Sequence, residues 1–260
     1  MKKWKKARIG DICSVNSYTY SPKENWKFVN YLDTGNITDN NIDTIQYIEI
    51  NKDKLPSRAR RKVQKNSIVY STVRPVQKHH GIIKSQVDHL LVSTGFAVLD
   101  AKKELVDADF LYYFLTQPYI TNSLQAIAEQ STSAYPAIKP SDIEDVEILL
   151  PEINLQKEIA KFLNLFTHKI DILDRINKNL EKQSRLIFES WFILHEPFNK
   201  KDLSEFKTIQ LKDIATIKTK SFNPNKNSNI LVEHYSIPAF DSGKQPVFEY
   251  SKSIKSNKYS

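Results

Sequence analysis

Cysteine and glycine are scarce in this sequence, and their scarcity excludes several kinds of site. A single cysteine, Cys13, leaves no partner for an internal disulfide and rules out a metal site built from several cysteines. The five glycines lie more than ten residues apart, so they cannot form a clustered phosphate-cradling, dinucleotide or methyl-donor loop. We therefore predict no cofactor and no metal site.

Long apolar runs are missing as well. The basic segment 1–6 could begin a signal peptide, but residues 7–11 interrupt it before an apolar stretch can form. No run approaches the roughly 18 apolar residues that a membrane-spanning helix needs. We predict a soluble, cytoplasmic protein that has no membrane partner.

Acidic side chains are nearly absent between Asn51 and Ser85. Ten cations accompany one anion there, Asp53, and the formal excess of +9 accounts for the net charge of +8 of the whole chain. A focused basic patch is typical of a protein that binds a phosphate backbone, although a solvated basic loop is the alternative. The cations are Lys52, Lys54, Arg58, Arg60, Arg61, Lys62, Lys65, Arg74, Lys78 and Lys84.

Residues 1–151 mix short β-rich runs with helical stretches, which predicts an α+β globular domain. The runs 67–73, 81–84 and 90–99 are bounded by turn residues, as strands are. Asp107 is a suitable cap for a helix through Leu115, and a second helix is predicted over residues 119–129.

Residues 154–195 contain neither proline nor glycine, and their apolar positions repeat at spacings of 4 and 3. This period predicts one long coiled-coil spacer helix over residues 152–196, and an ordinary core helix is the alternative. Asn177 occupies an a position, where a polar residue usually fixes the register or the partner. The predicted pairing or docking seam is Ile159, Leu163, Phe166, Ile170, Leu173, Asn177, Leu180, Ile187 and Trp191.

A short internal repeat follows the helix. After a linker over residues 197–207, the segment 209–217 repeats the pattern of the segment 7–15, with Asp and Ile identical. We interpret residues 208–260 as the start of a second domain like the first. This second copy is predicted to be incomplete, because the first runs for about 140 residues before its helix.

Two polar loops carry the side chains that most often contact DNA. In the first, Arg74 leaves a strand, Pro75 stiffens the exit, and Gly81 closes the loop. Arginine, lysine and glutamine read guanine and adenine edges or hold phosphates, and the second loop adds hydroxyls and a Tyr-Pro step. The predicted DNA-binding residues are Arg58, Arg60, Arg61, Lys62, Arg74, Gln77, Lys78, His79, His80, Ser133, Tyr135 and Lys139.

No pattern of catalytic residues stands out. The histidines form no helical pair with metal-ligand spacing, and no nucleophile elbow frames a serine. The spacing of Asp88, Asp100 and Lys102 is loosely that of a Mg²⁺-dependent nuclease, but the usual proline before the first aspartate is missing. We predict no catalytic residue and keep the nuclease as an alternative.

Several stretches of the chain are each moderately specific, and their common order is highly specific. They are Trp4, residues 9–12, 31–37, 71–75, 78–81, 93–99, 133–143 and 150–151, Gln156, and residues 186–192, 235–241 and 243–244. Together they cover essentially the whole chain and resemble the specificity subunits of type I restriction–modification enzymes.

The resemblance implies two target-recognition domains that each read one half of a bipartite DNA site, separated by long spacer helices. It also implies that methyltransferase subunits dock on the helices, that restriction subunits act through them, and that the specificity subunit itself performs no chemistry. Alternatives are a half-specificity subunit that completes itself by dimerisation and a coiled-coil assembly protein.

Overall fold

The computed structural model describes residues 4–131, 135–198, 207–217, 222–224, 229–235 and 246–254 of the chain. The chain divides into two compact units, residues 1–181 and 182–260. The strands of the first unit are β1 (Lys5–Arg8), β2 (Cys13–Val15), β3 (Phe28–Leu32), β4 (Ile37–Thr38), β5 (Asn41–Ile42), β6 (Gln46–Glu49), β7 (Ala59–Lys62), β8 (Ile68–Ser71), β9 (His80–Ile82), β10 (Leu90–Ser93), β11 (Phe96–Ala101) and β12 (Glu147–Leu150). Its helices are α1 (Ile9–Ile12), α2 (Ala108–Leu115), α3 (Pro118–Glu129) and α4 (Pro140–Glu144), and α5 (Ile153–Phe188) begins in it.

Two four-stranded sheets form the centre of the first unit. The first sheet has the order β6-β3-β10-β7, with β10 parallel to β3, and the second has the order β2-β11-β8-β9. Residues of β11 alternate between the two faces of the second sheet: Ala97 and Leu99 pack with α2 and α3, whereas Phe96 and Val98 pack against the first sheet. The unit is therefore layered, with helices on one sheet and a second sheet beneath it.

The predicted helices of this domain are confirmed. The side chain of Asp107 accepts a hydrogen bond from the amide of Phe110 at 3.1 Å, which caps α2. Pro118 occupies the first turn of α3, where its missing N–H costs no hydrogen bond, so it starts the second helix.

The strand predictions need two corrections. Residues 90–99 form two strands, because the segment between them turns at Thr94 and Gly95. Gly81 does not close a loop; it lies inside β9, opposite Val69. Glycine fits this position because an added Cβ would lie 2.5 Å from Cδ1 of Ile37.

Helix α5 is anchored at its first turns by a buried glutamine. Oε1 of Gln156 accepts from the amide of Asp107 at 3.0 Å, and its Nε2 donates to the carbonyls of Leu105 and Pro151. The sequence predicted one long helix over residues 152–196; in the structure α-helical geometry runs from Ile153 to Phe188, and a π-helical turn (Glu189–Ile193) continues it. A π-turn advances each residue by less than an α-turn, so it shifts the seam at this point.

The second unit repeats the local geometry of the first at a constant spacing of 202 residues. It contains α6 (Leu211–Ile214), β13 (Leu231–His234) and β14 (Val247–Tyr250). The carboxylate of Asp11 accepts from the amide of Arg8 at 3.2 Å, and that of Asp213 accepts from the amide of Gln210 at 3.1 Å.

The hairpin β13–β14 has the same register as β3–β6. Leu231 pairs with Tyr250, and Val29 pairs with Ile48. Each residue of the first pair lies 202 positions after its counterpart in the second. This agreement extends the nine-residue repeat seen in the sequence to a shared strand pairing.

The two copies differ in burial. Ile9 and Ile12 are 0% and 3% exposed, whereas their counterparts Leu211 and Ile214 are 75% and 68% exposed. In the first unit, β12 and α4 cover this segment, as the pairing of Ala7 with Ile148 and the contacts between α1 and α4 show. The described residues of the second unit include no counterpart of β12.

Candidate nucleic-acid interface

Arg74 and Tyr135 bring the two predicted loops together. The guanidinium carbon of Arg74 lies 5.2 Å from the centre of the Tyr135 ring, a cation–π distance. Tyr135 is exposed, and Arg74 is half-buried. In the described part of the chain no carboxylate forms an ion pair with Arg74.

Backbone hydrogen bonds hold these loops in a fixed arrangement. The amide of Arg74 donates to the carbonyl of Pro136 at 2.9 Å, and the amide of Ile138 donates to the carbonyl of Thr72 at 2.8 Å. The amide and hydroxyl of Thr72 both donate to the carbonyl of Gly95, at 2.8 and 3.0 Å. The loop of Arg74 is therefore attached both to the Tyr135 loop and to the turn between β10 and β11.

Arg58 reaches the same edge of the molecule from the start of β7. A Cβ added at Gly95 would lie 2.8 Å from Nη2 of Arg58 and 2.9 Å from Cγ2 of Thr34, so the side chain of Arg58 depends on the glycine. The amide of Thr94 donates to the carbonyl of Arg58 at 2.8 Å. Arg58 and Thr72 thus both approach Gly95, and Arg74 lies two residues beyond Thr72 in the same loop.

Asp33 supports this edge from below. Burial acts to raise the pKa of Asp33, but hydrogen bonds from the Thr34 amide, Ser93 and Tyr31, together with the charge of Arg58, outweigh it. The pKa therefore lies below its usual value, and the carboxylate stays ionised beside Arg58.

Lys78 and His79 follow a 3-10 turn (Pro75–Gln77); the side chain of Lys78 is exposed and that of His79 is half-buried. Arg74 and Lys78 bracket the turn in the left-handed region, with φ of 47° and 54°. The His79 ring contacts the carbonyl of Ile37 at 2.7 Å. Gln77 and Lys78 are exposed, and such strained backbone positions are enriched at functional sites.

His80 is a correction to the predicted DNA-binding set. Its side chain is buried in β9, stacks on Tyr70 at 5.5 Å, and contacts the hydroxyl of Tyr112 at 3.3 Å. Burial lowers the pKa of His80, which favours the neutral ring. His79 lies just before β9 and is half-buried, whereas His80 is enclosed by the core.

The remaining cations of β7 are divided between different environments. Nε of Arg61 is buried and has no hydrogen-bond partner within the described residues, and burial lowers the pKa of this arginine. Lys62 forms an ion pair with Glu24 and lies 5.2 Å from the centre of the Trp26 ring. Arg60 is half-buried and donates to the carbonyl of Ser57. The structure does not bring Arg61 or Lys62 to the edge formed by Arg58 and Arg74.

Two further predicted residues belong to the second loop. Lys139 is exposed at the start of α4, where its amide donates to the carboxylate of Asp142 at 2.7 Å. Ser133 lies outside the described residues. Thr72 and Gly95 were missing from the predicted set, although both lie within stretches that carried the family resemblance.

The three residues whose spacing suggested a nuclease, Asp88, Asp100 and Lys102, do not come together in one site. Asp100 accepts a hydrogen bond from Ser67, and Nζ of Lys102 donates to the carbonyl of Asp11. Asp88 lines a different cavity, beside His89. Across the ranges that the structure describes, no three His, Cys, Asp or Glu side chains group to hold a metal ion.

An apolar stripe on α5 is the second candidate surface. Ile159 and Leu163 are half-buried near the helix start. The later seam residues that stand exposed are Phe166, Ile170, Leu173, Asn177, Leu180, Ile187 and Trp191. No described helix is long and apolar enough to cross a membrane.

Comparison with known proteins gives the family. The family model for the type I restriction modification DNA specificity domain matches residues 1–182. The chain therefore belongs to the family of type I restriction–modification DNA specificity domains. This confirms the membership that the sequence stretches predicted.

Curated relatives and solved structures agree. The HindI specificity subunit of Haemophilus influenzae is 27% identical over 222 residues, which cover 84% of this chain and 47% of the relative. The MjaIX specificity subunit of Methanocaldococcus jannaschii is 26% identical over 203 residues, covering 75% and 44%. The chain thus spans about half the length of the curated relatives it matches.

The fold is similar to that of the HsdS subunit from Thermoanaerobacter tengcongensis, with a TM-score of 0.57 and 21% identity over 91% of this chain and 57% of that one. A chain solved in work on assembly and conformational transition of the type I R-M system gives a TM-score of 0.58 at 22% identity over 92% of this chain and 58% of that one. The α+β class with a long helix is confirmed.

Proposed function

We propose that the first unit binds double-stranded DNA sequence-specifically and that the chain serves as a non-catalytic specificity subunit. The observation that carries the proposal is an edge at which Arg58 and the loop of Arg74 both approach Gly95 and Arg74 contacts the ring of Tyr135. Two guanidinium groups and an exposed ring stand on loops with fixed backbones, which is the arrangement that base edges and phosphates require.

The proposed contact surface is smaller than the set predicted from the sequence. It keeps the residues that share this edge or its neighbouring loops and that are not buried. These are Arg58, Arg74, Gln77, Lys78, His79, Tyr135 and Lys139. Arg60 is a proposed phosphate contact, and Ser133 remains a proposal from the sequence alone.

The proposed organisation is a recognition domain over residues 1–151, a spacer helix over 152–196, a linker over 197–207 and the start of a second recognition domain over 208–260. The shared register of β3–β6 and β13–β14 supports the last assignment. We propose that methyltransferase subunits dock on α5 and that restriction subunits act through them. We also propose that the protein works in the cytoplasm.

A second candidate is a half-specificity subunit that self-associates through α5. It is favoured by the exposed apolar stripe, since contiguous exposed apolar surface usually marks an interaction site. The two proposed functions use the same recognition domain. They differ in whether a methyltransferase subunit or a second copy of this chain covers the apolar stripe of α5.

The test is duplex binding as a function of salt. Fluorescence anisotropy of a labelled 30-base-pair random duplex with the full chain should give an affinity that falls steeply with salt. The double variant Arg58→Ala/Lys78→Ala should flatten the slope by about 2, and Lys161→Ala on the exposed surface of α5 should leave it unchanged. Equal slopes for all three proteins would refute a phosphate-binding role for this edge.

A further inference from the structure

A row of aromatic rings lies away from the proposed duplex surface. Going from Tyr20 to Trp26, His89, Phe28 and Tyr47, neighbouring ring centres are 4.7, 4.4, 4.8 and 5.3 Å apart. Trp26 and His89 are nearly parallel, with 13° between their planes. Trp26 and His89 are both half-buried, so part of each ring is accessible.

His89 is the unusual member of the row. Its φ of 53° lies in the left-handed region, which disfavours residues with a Cβ. Asn30 holds this conformation, because its side chain donates to the carbonyl of Asp88 at 2.8 Å and its amide donates to the carbonyl of His89 at 3.1 Å. Nδ1 of His89 is buried and has no hydrogen-bond partner within the described residues.

A cavity of about 420 Å³ opens beside these two rings, and we name it the Trp26–His89 pocket. The side chains of Gln64, Lys65, Gln86 and Asp88 line it together with the rings. The lining thus combines flat aromatic surface, amide and carboxylate groups, and the ammonium of Lys65. Lys62 also lines it, but its charge is already paired with Glu24.

We propose that the Trp26–His89 pocket binds one unpaired nucleotide. The base lies against the aromatic wall, the amides of Gln64 and Gln86 bond its edge, and Lys65 holds its phosphate. Aromatic side chains bind unpaired bases by stacking, and amide groups match base edges. An apolar protein side chain would use the rings but would leave the lysine and the two amides unmatched.

The pocket and the duplex surface lie at opposite ends of β10. His89 precedes the strand at Leu90, whereas Gly95 follows it beyond Ser93. The inference therefore stands independently of the proposed duplex contacts, and separate variants test the two.

The experiment uses the full chain and a single-stranded ten-nucleotide DNA that contains one 2-aminopurine, whose fluorescence falls on stacking. The wild type should quench the probe, and His89→Asn should weaken binding by at least about fivefold, since one stacked base contributes on that order. Asparagine tolerates the left-handed backbone, so the substitution removes the ring and spares the turn. Lys65→Ala, at an exposed position, should weaken binding without affecting folding.

Controls separate the sources of the nucleotide and the competing explanations. Tyr119→Ala, which removes an exposed ring on α3, should leave binding unchanged. Competition by deoxyadenosine monophosphate would show that the pocket takes a free nucleotide, and its absence would show that it needs a strand; both agree with the proposal. Probe binding that is lost in Arg74→Ala but retained in His89→Asn and Lys65→Ala would overturn it. The proposal would also be overturned if the wild type did not bind the single strand. It would be overturned as well if the only defect of His89→Asn were a loss of binding to the methyltransferase subunit.

Discussion

The guanidinium of Arg74 stands 5.2 Å from the centre of the Tyr135 ring and joins two loops that are distant in the sequence. Neither loop alone would hold the Arg74 side chain in one orientation, because the loop of Arg74 contributes only the strained backbone of that residue, with φ of 47°. The ring face limits the directions of the guanidinium, and the bond from the Arg74 amide to Pro136 limits its backbone.

Substitution of Tyr135 tests this contact. Tyr135→Ala removes the ring and should weaken duplex binding by about fivefold, which corresponds to about 1 kcal/mol for an exposed cation–π contact. Tyr135→Phe keeps the ring face and should bind nearly as well as the wild type. Anisotropy titrations with one duplex measure both, and equal losses in the two variants would assign the role to the hydroxyl instead.

Gly95→Ala should reduce duplex affinity more than it reduces stability. The added Cβ meets the far end of Arg58 at 2.8 Å and Cγ2 of Thr34 at 2.9 Å. The threonine methyl must give way slightly, whereas the guanidinium moves at small cost to packing but then leaves its position. Urea unfolding and duplex titration of the same protein separate the two effects. Gly35→Ala, where no atom lies within 4 Å of the added Cβ, is the matched control. A loss of stability with unchanged affinity would contradict the prediction.

The stripe on α5 should mediate association of the chain with itself or with a partner. Ile170→Glu/Leu173→Glu places two charges on the exposed seam and should abolish a dimer seen by light scattering at micromolar concentration. Arg175→Glu, at an f position of the same heptads, should not. A wild-type chain that stays at the 30.2 kDa monomer mass would refute self-pairing and leave methyltransferase docking as the use of the stripe.

Asp100 predicts a pH dependence of stability. Burial raises the pKa of this carboxyl against the lowering effect of the Ser67 hydrogen bond, and its Oδ2 is buried without a described partner. The pKa of Asp100 is thus higher in the folded protein than in the unfolded chain. Its contribution to the free energy of unfolding is complete below the unfolded-state pKa of about 3.9 and is lost as pH rises through the folded-state pKa.

The free energy of unfolding of the Asp100→Asn variant should therefore rise relative to that of the wild type as pH rises from 4 to 7. Urea unfolding at both pH values measures the difference, and the exposed Asp53→Asn is the control. A difference that shrinks between pH 4 and 7 would show that the Asp100 carboxylate is stabilised in the fold.

Much of the architecture could be predicted from the sequence, because it depends on local patterns. Asp107 and Pro118 mark their helices by capping chemistry that needs no distant partner. The π-turn at Glu189–Ile193 could not be predicted, since apolar spacing continues through it. His80 was predicted to bind DNA because a run of polar residues in the sequence does not reveal which of their side chains are buried.

The candidate site was predictable only in part for a different reason. Arg74 and Tyr135 could each be proposed from their loops, but their contact depends on the bridge between Val73 and Ala137. The dependence of Arg58 on Gly95 arises from the pairing of β7 with β10, and the aromatic row gathers residues from four separate segments. Such proximity follows from tertiary pairing, which composition and spacing do not encode.

Selection of bound duplexes from a random pool tests the central claim most directly. The full chain, with a methyltransferase subunit present, should enrich one short sequence motif. The same selection with Arg74→Ala should relax one position of that motif, at a cost of about 1–3 kcal/mol for the preferred base. A pool that stays random for the wild type would contradict sequence-specific recognition by this chain.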